Sequence, residues 1–396
     1  LPEEFGNVTT NMSYMFTYAT LPDGFSLPDG FGPAATNVSF MFNRTTFPDG
    51  FNWPANFVSQ ATEANGMLNS ATFNDSITLP VDFGQTFTKI GVFIMNATIN
   101  GNLTFNNTFP SVTDNSNNSA LFQYLTVNGD FVLPDNFLPN ATYNSTASFT
   151  FMYCKTSNLI IGSNFMANIL SASYTFEYAE INGTLTIGDN FLSNTTTAQS
   201  LFMYAKIGNL SLPDSFLLKA TNASGLFDST AISENLILPD NFLPQATNVS
   251  QMFYKGSQSS INLTIGNNFA PNATNMSNMF CNAILPNNFS LPAGFGNVAT
   301  NMRYMFYGAS LPANFPLPAG FGSATTDMGG MFWSTTLNGD VDWSGTDLTA
   351  STATKNSMFA STTWNEHFIL AQNQTSVDWL IDGTGATAAN VKIKGS

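Results

Sequence analysis

The sequence predicts an α/β repeat solenoid of about 14 coils of ~26 residues, each a short strand plus a short helix. Three observations carry this. An apolar anchor recurs every 25 to 29 residues, a second anchor keeps the same beat, and the periodicity changes from helix-like to strand-like inside each copy.

The first anchor is the Phe, or its substitute, of successive Met-Phe pairs. It runs Phe16, Phe42, Leu68, Ile94, Phe122, Phe151, Phe176, Phe202, Phe227, Phe253, Phe280, Phe306, Phe332 and Phe359. The second runs Phe5, Phe31, Phe57 and on to Phe321. Offsets below are counted from the first anchor. Copies this short cannot bury their apolar sides alone, so they must stack.

Met12, Met15, Phe16 and Ala19 stand at i, i+3, i+4 and i+7, as do Met276, Met279, Phe280 and Ala283, which predicts a helix of about two turns. The Thr-Asn before it supplies a side-chain oxygen for the unpaired amides of the first turn. Alternation follows in Leu185-Thr-Ile187, Leu210-Ser-Leu212, Leu236-Ile-Leu238 and Leu263-Thr-Ile265, which predicts strands closed by Pro or Gly. The residue before the second Phe is Gly or Asn at positions 30, 56, 136, 164, 190, 241, 268, 294 and 320. Both types enter the left-handed region cheaply, so a positive φ is expected there. Residues 1–364 read as one continuous solenoid, and 365–396 as a degenerate last coil and C-terminal cap.

Only 9% of the residues are charged, and the net charge of −15 leaves no basic face for nucleic acid. No apolar run is long enough to span a membrane. Scarce Lys and 21 Asn-x-Ser/Thr sequons suit an extracellular chain, with Asn43, Asn74, Asn140, Asn182, Asn209, Asn262 and Asn288 as glycosylation candidates. An Asn-, Ser- and Thr-rich composition also produces sequons by chance.

The blocks TNMSYMFTYA (10–19), TNMSNMFCNA (274–283) and TNMRYMFYGA (300–309), with Trp53 and Trp343 at +11, resemble the BspA-like leucine-rich-repeat surface proteins of bacteria. The resemblance is to the N-M-S-x-M-F branch first noted in mycoplasma lipoproteins, and it covers nearly the whole chain. It implies a leucine-rich-repeat-like solenoid on the cell surface, attached to host proteins or to other cells. The repeated LP-x-x-F and the scarcity of Lys depart from that pattern, so partner identity does not carry over.

A non-enzymatic protein without a cofactor is expected. His367 is the only histidine, with no nucleophile motif beside it, and reads as a surface or cap residue. Cys154 and Cys281 fall five coils apart, too far for a disulfide, and read as free, semi-buried thiols. Asp189, Asp214 and Asp240 would stand about 5 Å apart at strand spacing; Ca²⁺ is one reading, and bonds to their own turn amides are the other. Tyr124, Tyr153, Tyr178 and Tyr204 all fall at +2, beside Lys155, Glu180 and Lys206 at +4, whose signs alternate as cross-coil pairing requires. A tyrosine ladder is either a stacking platform for a glycan or partner protein, or a purely structural stack.

Two roles follow. One is a cell-surface adhesin or recognition scaffold that meets a host or neighbouring-cell surface protein or glycan. The other is a structural protein that self-associates end to end into an extracellular filament, sheath or surface layer. Ice binding ranks below both, because no regular flat Thr column is evident.

Overall fold

The computed structural model describes residues 1–2, 4–112, 120–141, 147–255, 263–313, 315–348 and 351–395. The chain forms two compact units: one is Leu1–Thr195 with Ala205–Leu217, the other Thr196–Tyr204 with Leu218–Ser396. Each is a parallel β-solenoid, in which every strand pairs with the same segment of the neighbouring coil.

In the first unit each coil contributes to two short parallel ladders. One joins Thr46–Phe47, Thr72–Phe73, Thr98–Ile99, Thr126–Val127 and Lys155–Thr156. The second joins Ile77–Leu79, Leu103–Phe105, Phe131–Leu133 and Leu159–Ile161. The longer strand Glu180–Ile187 belongs to both, with Glu180 beside Lys155 and Leu185 beside Leu159. In the second unit Leu236–Leu238 pairs with Leu263–Ile265, and Phe315–Pro316, Val341–Asp342, Ile369–Ala371 and Val391–Ile393 form a four-stranded parallel sheet. The strands expected at 185–187, 236–238 and 263–265 are present, and Leu210 lies in Lys206–Ser211. Their alternating burial points Leu and Ile inward and Thr or Ile outward.

The helix expected in every coil is not there. Among the described residues the α-helix is Gln374–Ile381, capped by Asn373 Oδ1, which accepts from the Ser376 amide at 2.9 Å. The Met-Phe segment is instead a run of tight turns with two interleaved sets of hydrogen bonds. The amides of Tyr14, Phe16 and Tyr18 donate to Ser39, Met41 and Asn43 of the next coil, while those of Met15, Thr17 and Ala19 donate three residues back in their own coil. Residues two before and two after the anchor take left-handed φ, as in Tyr14 and Tyr18 (60 and 62°) and Asn278 and Asn282 (both 56°).

Spacing explains the correction. Strands of neighbouring coils sit about 4.8 Å apart, whereas an α-helix is about 10 Å across. A helix in each coil would spread its side of the coil wider than the strand side; a turn run keeps the strand spacing, and it also bonds to the next coil. Phe16 and Phe42 stack at 5.0 Å, Phe151 and Phe176 at 4.9 Å, and Phe306 and Phe332 at 5.3 Å.

Positive φ occurs at all nine Gly and Asn positions before the second Phe. The asparagines add a ladder of their own: Asn164 Nδ2 donates to Asn136 Oδ1 at 3.0 Å, and Asn190 Nδ2 to Asn164 Oδ1 at 3.1 Å. The Asn of the Thr-Asn pair accepts from the amide two residues on, as Asn11 does from Ser13 and Asn275 from Ser277. Among the described residues no helix is long and apolar enough to cross a membrane.

Candidate functional site

The first unit carries the tyrosine ladder. Tyr124 and Tyr153 stack with ring centroids 4.9 Å apart, and Tyr153 and Tyr178 at 4.8 Å, with planes within 5° of parallel. Each tyrosine sits at left-handed φ (57, 58 and 56°), which aims its ring out of the turn, and Tyr124 and Tyr178 are 47% and 37% exposed. The amide of Tyr124 donates to Met152 and that of Tyr153 to Glu177, so the coil bonds set the ring spacing. Tyr204 belongs to the other unit, where it is also left-handed and exposed.

Two residues on in the same coils stands the predicted charge column. Glu180 accepts from Lys155 at 3.0 Å and from Lys206 at 3.2 Å. The Lys155 hydrogen bond, then that from Lys206, holds the Glu180 carboxyl below the usual range against a smaller opposing effect of burial. A shallow depression of about 190 Å³ opens beside this column, walled by Thr126, Asn128, Lys155, Ser157, Glu180 and Asn182.

In the second unit one group of rings does not stack. Tyr304, Tyr307 and Trp333 meet at 5.6 to 6.3 Å with planes 47 to 84° apart, and a concavity of about 350 Å³ lies among them, Tyr254, Asn278 and Asn282. Cys281 forms its floor. Reading by columns did not find this pocket, because its walls come from three different offsets: −2, +1 and +2. The signal was present in the +1 column, where Cys281 falls between Tyr254 and Tyr307.

Both cysteines are free and buried, Cys154 completely and Cys281 at the edge of the concavity; burial pushes the Cys154 thiol up to about 12 and the Cys281 thiol up to about 11. Of the turn aspartates, Asp135 and Asp240 bond amides of the neighbouring coil and Asp189 a hydroxyl there. Asp135 Oδ1 accepts from the Ser163 amide and Asp240 Oδ1 from that of Asn267, both at 2.6 Å, while Asp189 Oδ1 accepts from the Ser215 hydroxyl. His367 Nδ1 stands 3.6 Å from Asp340.

The threonine column that the sequence did not disclose exists. Thr10, Thr36, Thr62 and Thr88 line the first unit, and Thr196, Thr221, Thr247, Thr274, Thr300, Thr326 and Thr354 the second, all exposed except the half-buried Thr88. Each hydroxyl after the first in its row donates to the carbonyl of the preceding threonine, as Thr326 does to Thr300 at 3.0 Å. A hydroxyl has one proton to give, so this column ties coil to coil.

Of the sequon asparagines, Asn74, Asn140, Asn182 and Asn288 are exposed and Asn43 and Asn209 half-exposed; Asn262 lies outside the described residues. Asn140 Nδ2 donates to the Pro110 carbonyl at 2.8 Å. No family model, curated protein or solved structure matches the chain.

Proposed function

We propose that the chain is a non-enzymatic extracellular recognition scaffold, whose first unit presents Tyr124, Tyr153 and Tyr178 to a surface protein or glycan of a host or neighbouring cell. The supporting observation is the parallel, half-exposed ring stack. Rings held by their neighbours on both sides lose little freedom when a partner binds, and rigid aromatic surface of this kind favours association. The adjacent lysines and glutamate pair with one another, so they shape the face without leaving a strong field beside it. The resemblance to BspA-like surface proteins points the same way.

Tyr153→Ala combined with Tyr178→Ala tests the reading. Attachment of the purified chain to cells is expected to be lost while the circular dichroism spectrum is kept; retained attachment rejects the ladder as the site. Sizing chromatography and negative-stain microscopy of the same preparation address the other role. Growth into polymers of regular repeat would favour a self-assembling structural protein over a recognition scaffold.

A further inference from the structure

We infer that the concavity among Tyr254, Asn278, Asn282, Tyr304, Tyr307 and Trp333 is a binding site for a neutral saccharide. The inference rests on the recognition reading of the chain but not on the tyrosine ladder, which belongs to the other unit.

Aromatic columns elsewhere in the chain lie nearly flat on one another, as Tyr14 on Phe40 and Phe149 on Tyr174 do, both with planes 9° apart. Tyr307 and Trp333, which share the +1 column, do not: their planes stand 66° apart with Tyr304 beside both, and all three rings are half-exposed. All three line a shared space of about 350 Å³, and the Arg303 guanidinium covers one face of Tyr304, 4.5 Å from its ring centre. That volume is at the lower end of the range for small-molecule sites, roughly 300–1,000 Å³. It suits a terminal sugar or a short oligosaccharide.

Rings and side-chain amides wall the space together, and among the described residues no purely apolar side chain lines it. An aromatic face is the negative side of a quadrupole and attracts the weakly positive C–H face of a pyranose. Each Asn amide offers two donors and an acceptor, matching hydroxyls that both donate and accept. A purely apolar ligand would cut those amides off from water and offer no hydroxyl in its place, a cost of about 1–3 kcal/mol for each group so buried, with Asn282 Nδ2 keeping its long contact to Cys281 Sγ at 3.5 Å.

Charge argues for a neutral ligand. The rim cations face other groups: Arg303 Nη2 donates to the Tyr304 hydroxyl at 2.8 Å and Nη1 stands 3.7 Å from Asp327. Lys255 lies 5.3 Å from the centre of the Tyr254 ring and interacts with Asp228. The Cys281 thiol at the floor is uncharged at neutral pH.

The walls are also fixed in advance. A Cβ on Gly330 would come within 2.3 Å of Tyr304 Cε1, and one on Gly308 within 2.2 Å of Asn282 Oδ1. Glycine in the next coil therefore admits each of these side chains close against the backbone, one ring wall and one amide wall. Such preorganisation lowers the ordering cost of binding.

The test is titration of the whole chain with cellotriose, chitotriose, mannotriose and laminaritriose, read by tryptophan fluorescence and calorimetry. A saturable response to at least one of the four is expected. Trp333→Ala and Asn282→Ala should each weaken it tenfold or more, and Trp333→Phe, which keeps a ring face, should weaken it less than Trp333→Ala. Unchanged circular dichroism certifies each variant, and Asn282→Ala decides alone if Trp333→Ala fails to fold. No response to any of the four overturns the proposal, as does a response that both alanine variants keep. Loss of cell attachment in the Tyr153→Ala, Tyr178→Ala chain with saccharide binding unchanged would leave both sites standing. Attachment without any saccharide response would sink this pocket and spare the scaffold reading.

Discussion

Tyr153 and Tyr178 lie face to face with centroids 4.8 Å apart and planes 1° from parallel. Tyr153 meets Tyr124 on its other side in the same way, at 4.9 Å. It is therefore held by two stacks, each worth about 0.5–1.5 kcal/mol beyond area burial. Tyr153→Ala is expected to cost about 1–3 kcal/mol in urea unfolding on that basis. Because Tyr153 has a φ of 58°, Tyr153→Gly should be the more stable of the two truncations. In a helix the order would be reversed by about 1 kcal/mol, so the Gly–Ala comparison reports directly on the turn run that replaces the expected helix.

Glu180 between Lys155 and Lys206 gives a pH signature. Its folded pKa is lowered, first by the Lys155 hydrogen bond and then by that of Lys206. The stabilisation is thus present above the unfolded value, about 4.3, and disappears as pH falls through the lower folded value. The pairs are partly exposed, so Glu180→Gln should cost only about 0.5–1 kcal/mol at pH 7. The difference should shrink in 1 M NaCl and close in strongly acidic buffer. Thermal melts of both chains across pH 2 to 7 would show it; a gap that persists at low pH contradicts this origin.

The repeat beat, the strands and the left-handed Gly and Asn positions were legible because each depends on a local rule. Asn136 before Phe137 needs nothing but the cheap αL conformation of Asn to be read. The helix was misread because Met12, Met15, Phe16 and Ala19 satisfy a period shared by helices and by turns of about four residues. What separates the two is the spacing of coils, which no single copy records. Gly66, Gly225 and Gly330, all at −2, were the available warning, since a helix interior disfavours glycine. The charge column was legible from alternating signs. The aromatic pocket was not, because it joins residues at different offsets from neighbouring coils.

Gly208 and Gly183 mark where backbones of successive coils touch. A Cβ on Gly208 would stand 2.4 Å from the Gly183 carbonyl oxygen and 2.5 Å from that of Asn182. Neither acceptor is a flexible side chain, so Gly208→Ala must push the coils apart and is expected to cost about 1–3 kcal/mol or more. Gly24, with a φ of 75° and nothing within 4 Å of an added Cβ, isolates the conformational effect. Gly24→Ala should cost only about 1–2 kcal/mol. Guanidinium unfolding of the two variants separates steric from dihedral strain.

The two thiols make the last prediction. The thiolate is the reactive form, and burial pushes Cys154 to about 12 and Cys281 to about 11. At pH 8 both are therefore almost wholly protonated as well as shielded, at 0% and 4% exposure. Neither should react with iodoacetamide in the folded chain over hours, and both should react within minutes in guanidinium. Between them Cys281 should label first as denaturant rises, because it forms the floor of an open concavity while Cys154 is fully enclosed. Mass spectrometry of the two tryptic peptides follows each site. Prompt labelling of Cys154 in native buffer would mean that its coil opens far more readily than its packing between Phe151 and its neighbours allows. A saturating saccharide in the second-unit pocket should slow labelling of Cys281 and leave Cys154 unaffected, since a ligand bound to the folded state suppresses only the openings that expel it.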